Sequence, residues 1–260
     1  MKHVFKTFGR GLGAVAILLS VTAGVQGQTT ANPAAPDPMT TGPAPKGKAW
    51  EPAWGFWPAA PQYWQPTHWG FVKEAKKGGI EVLFLGDSLT KGWSGAGKTL
   101  WQEHYAPLKA LNIGIGGDTT RQTLWRLDHE ALAGIQPKVV VLMIGVNNIF
   151  TATGSDDEIV QGIREILKQI QAKNPKGKVL LLGVLPLGNE SQSARAKILN
   201  GMLAKLAAGP VRFLDMSAKF QNAEGKILPE LYSKDQVHLA QPGYVVWDET
   251  MRPVLMELLK

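Results

Sequence analysis

From residue 80 onward, short and nearly unbroken apolar runs recur along the chain. They fall at 81–86 (EVLFLG), 110–115 (ALNIGI), 138–145 (KVVVLMIG), 178–185 (KVLLLGVL) and 211–214 (VRFL). A strand covered on one face alternates apolar and polar residues, whereas these runs suit strands covered on both faces, as in a parallel sheet. Between them the apolar positions take a helical period. In TLWRLDHEAL, Leu124, Leu127 and Leu132 fall on one side. In DDEIVQGIREILKQIQAK, Ile159, Ile163, Ile166, Leu167 and Ile170 do the same. The acidic first turn Asp156, Asp157 and Glu158 suits the positive end of that helix. A last helix follows Pro242, and Pro253 is expected to kink or split it, because a proline ring removes one helical hydrogen bond. Alternation of strand and helix predicts a three-layer α/β domain over residues 80–260, with ligands bound beyond the carboxyl ends of the strands.

The residues just after these strands therefore matter most. They are Gly86-Asp87-Ser88, Gly116-Gly117-Asp118-Thr119, Gly145-Val146-Asn147-Asn148 and, before the last helix, SKDQVHLAQPGY with Asp235 and His238. A serine hydroxyl is a weak nucleophile until a base takes its proton, and His238 could serve as that base. A buried carboxylate at Asp235 would fix the imidazole tautomer and stabilise its cation. The backbone N–H groups of Ser88 and Gly117 and the side-chain amide of Asn147 could stabilise the oxyanion of a tetrahedral intermediate. Each piece also has a plainer reading: Ser88 as a helix cap, Asn147 as a turn residue, Asp-x-x-His as a loop hydrogen bond. Asp215, at the end of the fifth run, competes with Asp235 as the orienting acid. His68, His104 and His129 lack such a context and read as structural or surface residues. Gly114, Gly116 and Gly117 fall short of a dinucleotide fingerprint, since Thr119 stands at the third glycine position.

Taken in order, GDS, NIGIGGDTT, GVNN and DQVH resemble the SGNH (GDSL-type) hydrolases. LNIGIGGDTTRQTLWRL resembles more narrowly the catalytic subunits of intracellular platelet-activating-factor acetylhydrolase and their bacterial relatives, over about residues 64–258. The resemblance implies a flavodoxin-like fold with a five-stranded parallel sheet. It implies Ser88 as nucleophile, His238 as base, Asp235 as its partner, and Gly117 and Asn147 as oxyanion donors, with no metal or organic cofactor. By the same resemblance Leu89, Val146 and Val237 form the apolar wall that restricts the acyl group to short chains. The acetylhydrolase subunits usually carry threonine where this chain has Val146.

The first 80 residues read differently. Lys2, Lys6 and Arg10 precede the apolar GLGAVAILLSVTAG, and small residues at Val25 and Gly27 suit cleavage, so 1–27 is expected to be a secretory signal. Its removal takes the formal charge of the 260-residue chain from +7 to +4, too small a surplus to call for nucleic acid. Residues 28–49, rich in Pro, Ala and Thr, are expected to be a disordered linker. Residues 50–79 form an arm carrying five of the nine tryptophans, either packed on the domain or open as a sugar-stacking surface. With no cysteine there is neither disulfide nor thiolate metal site.

The expectation is an exported esterase, periplasmic or secreted, that removes short acyl groups, chiefly acetyl, from a small-molecule or glycan ester. No stable membrane insertion is expected after signal cleavage, and a homodimer is left open. The alternatives are a phospholipid acetylhydrolase or lysophospholipase, and a non-catalytic glycan-binding protein.

Overall fold

All five apolar runs form strands, and the reason lies in what covers them. The structure is a computed structural model that describes residues 47–53 and 61–260. The expected signal, nearly all of the linker, and 54–60 of the arm lie outside the described residues. The strands are β1 (Val82–Gly86), β2 (Ala110–Asn112), β3 (Val139–Met143), β4 (Lys178–Leu182) and β5 (Val211–Leu214). They make one parallel sheet in the order β2-β1-β3-β4-β5. Every residue of β1 and β3 is buried, as their unbroken apolar sequence requires, whereas the edge strands β2 and β5 contain no buried residue. This is the flavodoxin-like strand order. The chain leaves β1 for β2 on one side and then crosses to β3 on the other, which opens a crevice beyond the ends of β1 and β3.

The helices are α1 (Pro61–Ala75), α2 (Ser88–Lys91), α3 (Lys98–Leu100), α4 (Thr120–Asp128), α5 (Val146–Phe150), α6 (Asp156–Lys173), α7 (Glu190–Leu203) and α8 (Gln241–Leu258). Two groups of helices pack together: α4 with α6 and α6 with α7, and separately α3 with α8. Helix α6 buries Ile159, Ile163, Ile166, Leu167 and Ile170, the stripe read from sequence. It starts at a capping box in which the Ser155 side chain accepts from the Glu158 N–H and the Glu158 carboxylate from the Ser155 N–H.

Helix α8 corrects one half of an expectation, for Pro253 does not split it. Pro253 and Glu249, four residues before it, are both solvent-exposed, so water can take the carbonyl that the proline leaves without a donor. The buried face of α8 instead secures the helix, through Tyr244, Trp247, Met251 and Leu255. Tyr244 and Trp247 join Trp93, Tyr105, Phe84 and Trp101 in one aromatic cluster, with the Trp93 and Tyr244 rings 4.9 Å apart. Among the described residues no helix is long and apolar enough to cross a membrane.

Candidate active site

Asp87 answers the question of whether Ser88 is a cap. Asp87 is the N-cap of α2, its Oδ1 accepting the Leu89 N–H at 3.0 Å, so the Ser88 hydroxyl is not needed for that task. Ser88 is the first residue of α2, half-buried, and its Oγ lies 2.9 Å from His238 Nε2. On the other side of the ring, Nδ1 lies 2.6 Å from Asp235 Oδ2. An imidazole that donates its Nδ1–H as a hydrogen bond to a carboxylate keeps Nε2 free to accept from a hydroxyl.

Asp235 departs from the buried carboxylate expected. Its side chain is 42% exposed, and that of His238 is 32% exposed. The loop closes on itself instead. Asp235 Oδ1 accepts the N–H groups of Val237 and His238, each at 2.9 Å, and the Ser233 hydroxyl at 2.8 Å. Partial burial pushes the Asp235 carboxyl up, but the hydrogen bonds from the His238 ring, the two N–H groups and Ser233 outweigh it and hold it down at about 2. Asp215, the competing acid, accepts instead from the Ser217 N–H and hydroxyl at 2.9 and 2.5 Å.

The loop carrying His238 is braced from outside. The Tyr232 hydroxyl donates to the Pro186 carbonyl at 2.9 Å, and the Gly188 N–H donates to the Gln236 carbonyl at 3.0 Å. Tyr232 also bridges antiparallel to Leu239. Beside it a groove of about 900 Å³ opens over the loops that follow β4 and β5, lined among others by Leu187, Lys197, Asp215, Gln221, Lys226 and Gln236. Neither Ser88 nor His238 lines it.

The loop after β2 approaches Ser88 closely. A Cβ on Gly114 would stand 2.3 Å from the Lys91 nitrogen, so only glycine lets this loop lie against α2. A Cβ on Gly116 would be 3.7 Å from that of Ser88. Gly117 has φ +82°, a left-handed conformation that disfavours side chains. No acceptor among the described residues takes the backbone N–H of Gly117. Asn147, in the first turn of α5, donates through Nδ2 to the Asp118 carbonyl at 2.9 Å, which leaves the second amide hydrogen for another acceptor. Leu89, Val146 and Val237 are buried in the hydrophobic core and line no part of the groove.

Beneath this loop lies a buried charged pair that sequence reading did not single out. Asp118 Oδ2 accepts from Arg126 Nη1 at 2.8 Å, and neither side chain is exposed. Arg126 also donates to the Ile113 carbonyl. Burial pushes the Asp118 carboxyl up to about 6, while Arg126 and the Trp64 indole hold it back. Burial likewise pushes Asp87 up to about 7. Of the three histidines set aside, His68 is buried with Nε2 2.7 Å from the His129 carbonyl, and His129 stacks on Trp125 at 3.6 Å. His104 Nδ1 lies 3.0 Å from Asp248. Among the described residues no group of three or more His, Cys, Asp or Glu side chains could hold a metal ion.

A hydroxyl, an imidazole and a carboxylate linked in that order, beside a glycine loop and a side-chain amide, form a site equipped for acyl transfer. Residues 84–246 match the model of the GDSL-like lipase/acylhydrolase family, and the chain belongs to that family, whose members hydrolyse esters. It is 35% identical over 204 residues to the platelet-activating factor acetylhydrolase IB subunit alpha2 of Rattus norvegicus, covering 76% of this chain and 85% of the relative. The alpha1 subunit of Bos taurus is 34% identical over 201 residues, covering 75% and 84%. Solved structures share the fold. A GDSL-like lipase from Bacteroides thetaiotaomicron superposes with a TM-score of 0.60 at 24% identity, covering 71% of this chain and 90% of its own. An acetylxylan esterase from Geobacillus stearothermophilus gives 0.56 at 21%, covering 70% and 94%.

Proposed function

We propose that this chain is an exported serine esterase that removes short acyl groups, acetyl above all, from carbohydrate esters outside the cytoplasm. The observation that carries the reading is the continuous relay from Ser88 Oγ through the His238 ring to Asp235, at 2.9 and 2.6 Å. In the proposed cycle His238 takes the Ser88 proton as Oγ attacks the ester carbonyl. The oxyanion is held by the N–H groups of Ser88 and Gly117 and by the Asn147 amide. Collapse expels the alcohol, protonated by His238, and leaves an acyl-serine. Water, activated by the same imidazole, then releases the acid and restores the hydroxyl.

Two observations support the narrower substrate. Leu89, Val146 and Val237 are packed into the core rather than open, which suits a small acyl group, and the relatives at 34 and 35% identity are named acetylhydrolases. The phospholipid reading rests on the names of those same relatives. The glycan-binding reading loses one of its candidate stacking rings, since Trp64 is buried.

The test is hydrolysis of a chromogenic acetate, butyrate and octanoate, and of acetylated sugars and phospholipids, by wild type and Ser88→Ala. The expected order is acetate first, acetylated sugar over phospholipid, and no turnover by the variant. Retained activity in Ser88→Ala removes the mechanism. Fastest turnover of octanoate overturns the acyl preference, and fastest turnover of the phospholipid overturns the alcohol.

A further inference from the structure

Among the described residues of the arm, Trp64 reaches the oxyanion loop with its side chain. Trp64, on α1, is 5% exposed and packs edge-on against Trp125 of α4, with ring centroids 5.1 Å apart. Its indole N–H donates to Asp118 Oδ1 at 2.6 Å, 54 positions along the chain. With Arg126 on Oδ2, both oxygens of a fully buried carboxylate are held by donors from two different helices. The carbonyl of the same residue accepts the Asn147 side-chain amide at 2.9 Å. The donor side of Asn147 is thus oriented by a peptide group whose own side chain is anchored by the arm.

We propose that Trp64 is a positioning residue for the oxyanion hole, acting through Asp118 on the amide of Asn147. The inference rests on Asn147 being an oxyanion donor, as in the function proposed above. A hydrogen bond to a carboxylate in a buried setting is among the stronger kinds, and its loss leaves Oδ1 without a donor. The carboxylate then turns toward Arg126 alone, and the peptide that aims Asn147 follows. An oxyanion donor acts on the transition state and not on the bound ester, so its misalignment lowers kcat and leaves KM.

The experiment compares Trp64→Phe, Asn147→Ala and the double variant with wild type on the same acetate ester. A second form of the protein, with Trp64 replaced by its benzothiophene isostere, keeps both rings and removes only the N–H. The expected result is a fall in kcat of about tenfold in both Trp64 variants with KM within about twofold. Asn147→Ala should fall by about 10²–10³, and Trp64→Phe should add less than about twofold to it, because the two act through one contact. A merely structural Trp64 would lower the melting temperature while kcat stayed unchanged or the effects multiplied, and either result overturns the proposal. If Trp64→Phe does not fold, the isostere decides alone. If Asn147→Ala is near normal, the oxyanion role fails and this inference with it. If Asn147→Ala is impaired and the isostere is normal, only this inference fails.

Discussion

The carboxylate of Asp235 holds the ring of His238 at 2.6 Å while its side chain is 42% open to solvent. In a closed site, loss of such an acid strands the imidazole in the wrong tautomer and costs about 10⁴ in turnover. Here the side chains of both residues are partly exposed, so once the carboxylate is removed water can take its place as acceptor of the Nδ1–H. Asp235→Ala is therefore expected to lower kcat by about 10²-fold, measured on a chromogenic acetate. A fall of about 10⁴ or more would mean that water does not substitute for the carboxylate.

Asp87 makes a pH prediction. Burial, aided by the nearby Asp118 charge, raises its carboxyl from 3.8 to about 7, with the Leu89 N–H opposing. Between those values the folded chain keeps a proton that the unfolded chain has released, so the stability contributed by Asp87 is complete below about pH 4 and is lost as pH rises toward 7. Three pH units correspond to on the order of 4 kcal/mol. Asp87→Asn should remove this falling contribution from urea melts between pH 4 and 7, leaving that of Asp118 in the same direction and that of His68, held down at about 4 by burial, in the opposite one. An unchanged slope would remove Asp87 as its source.

Arg126 is the other half of a buried pair, so its removal strands Asp118 without a cation. Arg126→Met is expected to destabilise the fold by about 3–5 kcal/mol in equilibrium unfolding at neutral pH. A loss under about 1 kcal/mol would show that the carboxyl is readily neutralised or rehydrated.

Gly114→Ala tests the fit between the β2 loop and α2. The added carbon would meet the Lys91 nitrogen at 2.3 Å and the Thr90 carbonyl carbon at 2.8 Å, both backbone atoms that have no rotamer to yield. Displacement of α2 carries Ser88 with it, and the expected loss of turnover is at least about 10²-fold. Normal kinetics would mean that the loop moves instead.

What sequence made legible depended on how local the cause was. The strands were readable because burial on both faces leaves an unbroken apolar signature, and α6 because its stripe and acidic first turn lie within one stretch. Helix α7 escaped notice, since its buried positions are only Ala196, Leu199, Asn200 and Leu203. Helix α1 was hidden by Pro66 and by aromatics that also suit a stacking surface. At the site, the residue types and their order were visible, and the structure brings Ser88, Asp235 and His238 into contact. The cap on α2 was not assigned to Asp87, because two adjacent polar residues compete for that role and only backbone geometry decides. The exposure of Asp235 depends on which chain segments cover one turn, which no spacing encodes. Trp64 gave no signal for its hydrogen bond, since its partner lies on a distant loop.

The brace between Tyr232 and Pro186, and between Gly188 and Gln236, sets the smallest portable unit of this chemistry. Base and acid sit three positions apart and travel together, but their turn is moored to the segment that follows β4. Transplanting 232–239 alone into a foreign scaffold would deliver the right side chains on a drifting tether. The graft must take 186–188 as well.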